Sequence, residues 1–234
     1  MDRQQSAAVT AALDKLSNRI GEFGQLTFDM WYAYEGYQYP LDMYATGAIK
    51  RTLSLLVGFR SHIESFNFTC AAPLVRLQLD TALRFYAAFI VTDPQDFALK
   101  VLEGTEVRKL KDRNNQLMRD AHLVKCLGAD HPWIESLYKK ASGYVHLSNR
   151  HAFDAARNVD RKTFSITWDI RWEDKPMPDH VYLGAIDAFD TSAVLFAEYI
   201  KKWTTTKADP VAAATRKSIS RMMKPDHATP PITP

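Results

Sequence analysis

At 234 residues, with 46% hydrophobic and 12% aromatic content, the chain can bury a substantial core, and the expected organisation is one domain over residues 1–203 with a tail over 204–234. The formal net charge of +3 is uneven: residues 201–234 hold seven Lys or Arg against two Asp, a net of +5, leaving −2 for residues 1–200. The charge balance therefore argues against a strongly basic folded body, and two distant cysteines, Cys70 and Cys126, without a CxxC pair give no sign of a disulfide framework or a zinc site.

The first residues carry Asp2, Arg3 and Asp14 and no long apolar run, so no secretory signal is expected. Val9, Leu13, Leu16, Ile20 and Phe23 recur at helical spacing and predict a helix from Ser6 to Phe23, ending at Gly24. The aromatic-rich LTFDMWYAYEGYQYP reads as an irregular packing segment, followed by a long helix from Leu41 to about Phe66 with Ile49, Leu53, Leu56, Phe59 and Ile63 on its buried face. Pro73 fits the first turn of a third helix that follows Thr69 or Cys70 and runs to about Val91. Its most apolar stretch, Ala82 to Val91, is interrupted by Arg84 and is far shorter than the ~20 residues of a membrane span, so a soluble, cytoplasmic protein with no membrane partner is expected.

Thr92-Asp93-Pro94 starts a short helix stopped by Gly104. TEVRKLKDRNNQ reads as a solvated turn or helix, and MRDAHLVKCLG as a short helix closed by Gly128. Pro132 and Glu135 open a helix predicted to run through Arg157. In KTFSITWDIRW, Phe164, Ile166, Trp168 and Ile170 alternate with polar residues, the one clear strand pattern; its partner would be another chain or the segment near Trp31. HVYLGAIDAFDTSAVLFAEYIKKW is the final helix, and the basic tail after it, with Arg216, Lys217, Arg221 and Lys224, is expected to be partly disordered. The fold class is thus a mainly α helical bundle with one short β element.

Two polar constellations stand out. Arg76, Asp80 and Arg84 lie at i, i+4 and i+8 on an otherwise apolar helix, either as an ion-pair ladder or as part of a cleft facing His146. At about 100° per residue, a helix through Arg157 would bring Lys139, Ser142, His146, Arg150 and Arg157 within roughly 80° of one another. His146 is suited to proton transfer near neutral pH, and Arg150 to holding phosphate oxygens; the other reading makes His146 a member of a hydrogen-bond network with Tyr144 and Ser148. His151 and Asp154 lack the paired Glu-x-x-His of di-iron bundles and sit beside arginines, so neither a metal nor another cofactor is expected.

With LVRLQLDTALRF followed by SGYVHLSNRH, residues 45–157 resemble all-helical bacterial proteins related to the HEPN (higher eukaryotes and prokaryotes nucleotide-binding) superfamily. The resemblance implies a helical bundle that forms a homodimer and a metal-independent endoribonuclease acting in a toxin–antitoxin or phage-defence system. The family's signature of an arginine, a polar residue, a few spacers and a histidine in one helix is not matched: Arg119-Asp120-Ala121-His122 has too few spacers, Arg113-Asn114 reaches His122 after too many, and Arg157-Asn158 has no following histidine. Catalysis would then use a split site, with His146 transferring protons, Arg76 and Arg150 holding phosphate, Asp80 orienting an arginine, and Ser142, Lys139 and Arg157 binding substrate. The expected function is RNA cleavage or RNA binding, with an antitoxin or other protein as a further partner. The alternative is a non-catalytic interaction module that uses the aromatic set Trp31, Tyr32, Tyr34, Tyr37 and Tyr39 and the basic tail.

Overall fold

The computed structural model describes residues 4–146, 155–168, 170–174, 177–209 and 211. Helices α1 (Ala7–Ser17) and α2 (Arg19–Tyr32) are followed by α3 (Pro40–Glu64) and α4 (Phe68–Tyr86), then by the short α5 (Pro94–Leu102) and α6 (Asp120–Gly128). Next come α7 (Trp133–Val145), strands β1 (Ala156–Asp160) and β2 (Ser165–Trp168), and the long α8 (Asp179–Ala208). The protein is mainly helical, as expected. Among the described residues, no helix is long and apolar enough to cross a membrane.

Local chemistry sets the helix starts. Ser6 accepts from the Val9 N–H, Asn67 from Cys70, and Asp93 from Gln95 and Asp96, which satisfies amides that have no partner within the helix. Pro40 and Pro94 occupy first-turn positions where a missing N–H costs nothing.

Gly24 does not stop a helix. The chain breaks at Asn18 instead, and α2 continues through Gly24 to Tyr32, so much of the expected irregular segment is helical. A mid-helix glycine costs only about 1 kcal/mol, whereas Phe23, Leu26 and Met30 are all buried, with Phe23 stacked on Phe196 at 5.7 Å. Burial decides the outcome. The helix ends where Tyr34, Glu35 and Gly36 take positive φ.

α4 is the centre of the bundle and packs against α3, α6, α7 and α8. The apolar interior falls into two clusters, one around Phe85, Leu79 and Phe196 and the other around Phe59, Val75 and Phe189. Buried Thr52, Gln78 and Ser192 fall, on α3, α4 and α8, between the residues that feed the two clusters. At that level α1 gives way to α2, and Arg19 grips Asp190 of α8 through two hydrogen bonds of 2.7 and 3.0 Å.

The helix expected to run through Arg157 ends at Val145, and His146 is already extended, with φ −105° and ψ 145°. Gly143 and Val145 are weak helix formers, and Ile134 and Ala141 are the only fully buried residues of α7. Arg157 lies in β1, so the predicted cationic stripe does not form on one helix. β2 pairs antiparallel with β1, not with the Trp31 segment. The turn is set by Asp160, which accepts from the Lys162 and Thr163 amides.

Candidate functional site

The polar stripe on α4 is tied together by a residue from another helix. Arg76 donates to Asp120 at 2.9 Å and lies 3.6 Å from Asp80; Arg84 donates to Asp80 at 3.2 Å and also bonds Asp120. The Tyr138 hydroxyl reaches Asp120 at 3.3 Å, and the Arg76 guanidinium lies over the Tyr138 ring at 4.2 Å. Two arginines and two carboxylates therefore form a closed alternating array at the junction of α4, α6 and α7. Asp120 is in the first turn of α6, where the helix dipole favours a carboxylate.

Outside this array is an open cavity of about 650 Å³ lined by Arg84, Arg108, Lys109, Leu117, Arg119 and Asp120. A neighbouring cavity of about 400 Å³ shares Lys109 and adds Asp93, Asp96, Lys100 and Lys111. Among the described residues, the two linings together carry six cations against three carboxylates. Glu106 bonds both Arg108 and Lys109, whose hydrogen bonds hold its carboxyl down to about 2, so it stays anionic at neutral pH and offsets part of that charge.

The loop that presents these cations is pinned by Asp112. Its carboxylate accepts from the Asn114 and Gln116 amides at 2.9 and 2.8 Å, and His122 Nε2 lies 2.9 Å away. Burial would raise the Asp112 pKa, but the bonds from Gln116, His122 and Asn114 outweigh it and hold the carboxyl below its usual range. Arg113 secures the same loop by donating to the Ile90 carbonyl at 3.0 Å. Cys126 sits 3.5 Å from the same His122 nitrogen that faces Asp112. The thiol also lies 3.9 Å from the other ring nitrogen, Nδ1, but burial raises its pKa, which disfavours the thiolate that a nucleophile needs.

Among the described residues expected to form a split catalytic site, Arg76 and Asp80 lie apart from His146. Arg76 and Asp80 belong to the array. Tyr138 marks the level of Arg76 on α7, and His146 is eight residues further on, about 12 Å along the axis at 1.5 Å per residue. His146 is exposed. Ser142 donates to the Tyr138 carbonyl at 2.7 Å, and Lys139 pairs with Glu135 at 2.8 Å on the exposed side of α7. Arg150, His151 and Asp154 lie outside the described residues, as do Ser148 and the four cations Arg216, Lys217, Arg221 and Lys224 of the tail. A separate apolar cavity of about 240 Å³ between α4, α7 and α8 is lined by Phe68, Val75, Ala141 and Tyr144, near the His146 end of α7.

The aromatic set divides. Tyr39 is buried against Trp203 at 6.1 Å, Trp31 donates to Thr46 at 3.0 Å, Tyr34 and Tyr37 contact each other at 5.8 Å, and Tyr32 is exposed and stacked on Phe28 at 6.3 Å.

Sequence reasoning missed Asp120, Arg108, Lys109 and Arg119 as lining residues. For Arg108 and Lys109 the available signal was the charge density of TEVRKLKDRNNQ; Arg119 and Asp120 lie just beyond it. Compared with known proteins, the chain matches no protein-family model, no curated protein and no solved structure.

Proposed function

We propose that this chain is a HEPN-like helical protein that binds RNA through its phosphates along the groove from Arg119 over Lys109 to Lys111. The observation that carries the reading is the pair of open cavities that both have Lys109 in their lining, where the described residues include twice as many cations as carboxylates. A single phosphate would need one cavity, whereas two in succession suit a ligand with repeated charges. Arg119 is exposed at the start of α6, and Arg84 already presents a guanidinium to one face of the first cavity.

Binding is favoured over cleavage by the position of His146, past the end of α7 and about two turns from the level of Arg76, and by the engagement of Arg76 and Arg84 with Asp80 and Asp120. Among the described residues no exposed aromatic ring lines either cavity, since Phe97 is buried. Base stacking is then a minor contribution, and the contacts are to backbone phosphates, which carry little sequence information.

The test is fluorescence anisotropy with labelled single-stranded RNA in EDTA over a salt series, comparing the parent with Lys109→Ala/Arg119→Ala. The double variant is expected to bind at least ~10-fold more weakly and to lose about 0.7 from the log–log salt slope for each phosphate contact removed. Equal affinity and slope in both proteins would overturn the reading. RNA cut by the parent and left intact by His146→Ala would replace binding with cleavage.

A further inference from the structure

The corner where α2 gives way to α3 carries exposed rings. Phe28 is 55%, Tyr32 73% and Met43 62% exposed, and Trp31 shows more than a third of its surface. The Phe28 ring stands 6.3 Å from Tyr32, nearly parallel at 10°, and 6.3 Å from Trp31 at 73°. The hydrogen bond to Thr46 fixes the Trp31 indole, and Met43 lies one turn before Thr46 on α3, so rings and thioether edge one surface.

The surroundings of these rings are acidic. No Lys or Arg occurs between Arg19 and Lys50, a stretch that holds Glu22, Asp29, Glu35 and Asp42. Asp42 is buried with Lys207, and Glu22 pairs with Arg19. Asp29 and Glu35 are exposed, and among the described residues neither pairs with a cation.

We infer that this corner is the docking site for the chain's own C-terminal segment, residues 216–234, which lies outside the described residues. Charge complementarity is the first argument. The segment holds Arg216, Lys217, Arg221 and Lys224 against one carboxylate, Asp226, so it is the opposite of the Asp29 and Glu35 surface. An anionic strand or lipid headgroup would be repelled there, and a second copy of the same surface would set carboxylate against carboxylate. The segment closes with Pro231-Ile232-Thr233-Pro234, a PxxP spacing. Segments of that kind adopt polyproline II and lie across aromatic-lined surfaces, and their preset φ lowers the entropy cost of binding.

The second argument is where the described chain ends. Lys207, in the last turn of α8, donates to the carbonyl of Met30, the residue before Trp31, and α8 ends at Ala208. The chain therefore leaves the bundle beside the rings. Pro231 follows Val211 by 20 residues. A connection of that length reaches up to ~65 Å when extended and averages roughly 25 Å as a coil, ample for rings that adjoin Met30. Tethering makes docking intramolecular, at an effective concentration near the millimolar range, so modest contacts suffice. Phe28, Trp31, Tyr32 and Met43 line neither of the basic cavities used in the RNA reading.

The experiment is carbodiimide crosslinking of the full chain at low micromolar concentration, as an equal mixture of unlabelled and nitrogen-15-labelled protein, read by mass spectrometry. The parent is expected to join Lys217 or Lys224 to Asp29 or Glu35 within one copy. Phe28→Ser/Tyr32→Ser and, separately, Pro231→Ser/Pro234→Ser are expected to cut that yield at least ~5-fold, as removal of contacts from an interface centre does. The proline variant leaves the bundle untouched and decides the matter if the ring variant fails to fold. A crosslink that is absent, or that joins labelled to unlabelled copies, overturns the inference. So does a yield that survives in either folded variant, because a segment held by charge alone would need neither the rings nor the prolines.

Discussion

Lys207, in the last turn of α8, donates to Asp42 near the start of α3 at 3.0 Å, with both side chains fully withdrawn from solvent. The Lys207 ammonium also donates to the Met30 carbonyl at 2.7 Å, and Asp42 accepts from the Trp203 indole and the Tyr39 amide, each at 2.7 Å. The pair thus closes three chain segments over the end of the core. Removing one buried charge strands the other, which costs about 3–5 kcal/mol. Lys207→Met is expected to lose that much in urea unfolding, and ending the chain after Trp203 should do similar harm. A loss under about 1 kcal/mol would mean that water reaches Asp42 when its partner is gone.

The loop beneath the groove should be acid-sensitive. Asp112 is held below its usual range in the folded chain, since the bonds from Gln116, His122 and Asn114 outweigh burial. A carboxyl with a depressed folded pKa contributes stability that is complete above the unfolded value near 4 and is lost as pH falls through the folded value. Asp112→Asn should remove that contribution at neutral pH and flatten the parent's loss of stability below pH ~4. Parallel pH–stability curves for the two proteins would refute it.

How much of this was legible follows from where the signals lie. Helices α3 and α5 announce themselves through Pro40, Pro94 and the Asp93 cap, all local to the segments they start. α2 was hidden by Gly24, whose propensity pointed to a stop that the burial of Phe23, Leu26 and Met30 overrides. β1 was hidden because Val159 is the one large apolar residue in ARNVD, too few to show alternation. The ladder on α4 was visible from spacing, but its partner Asp120 is 44 residues from Arg76 and 36 from Arg84, and no periodicity links them. Three of the groove cations, Arg108, Lys109 and Lys111, sat in plain view in a stretch whose polarity reads as simple solvation until the fold places two cavities beside it.

The polar residues buried between those that feed the two core clusters carry a cost that substitution can lift. Gln78 is fully buried, and neither atom of its amide has a hydrogen-bond partner among the described residues; the Thr52 hydroxyl is in the same position. An unsatisfied buried amide costs about 1–3 kcal/mol. Gln78→Met keeps the length of the side chain and removes the polar atoms, so it should leave stability unchanged or raise it by up to about 2 kcal/mol. Chemical denaturation measures this directly, and a clear destabilisation would show that the amide is satisfied in solution.

Asp120 is where the groove and the α4 array meet, and its removal separates stability from binding. Its carboxylate accepts from Arg76, Arg84 and Tyr138 while lining the larger cavity, so it neutralises charge on the surface proposed for phosphate. Asp120→Asn keeps the shape and part of the hydrogen bonding but leaves Arg76 and Arg84 to share Asp80. Two effects of opposite sense are expected. Stability should fall by about 1–3 kcal/mol as charge-assisted bonds are weakened. RNA affinity at low salt should rise several-fold, with a steeper salt slope, since one more guanidinium is available to a phosphate. Loss of both stability and affinity would place Asp120 in the ligand site as a contact, whereas unchanged affinity would separate the α4 array from the groove.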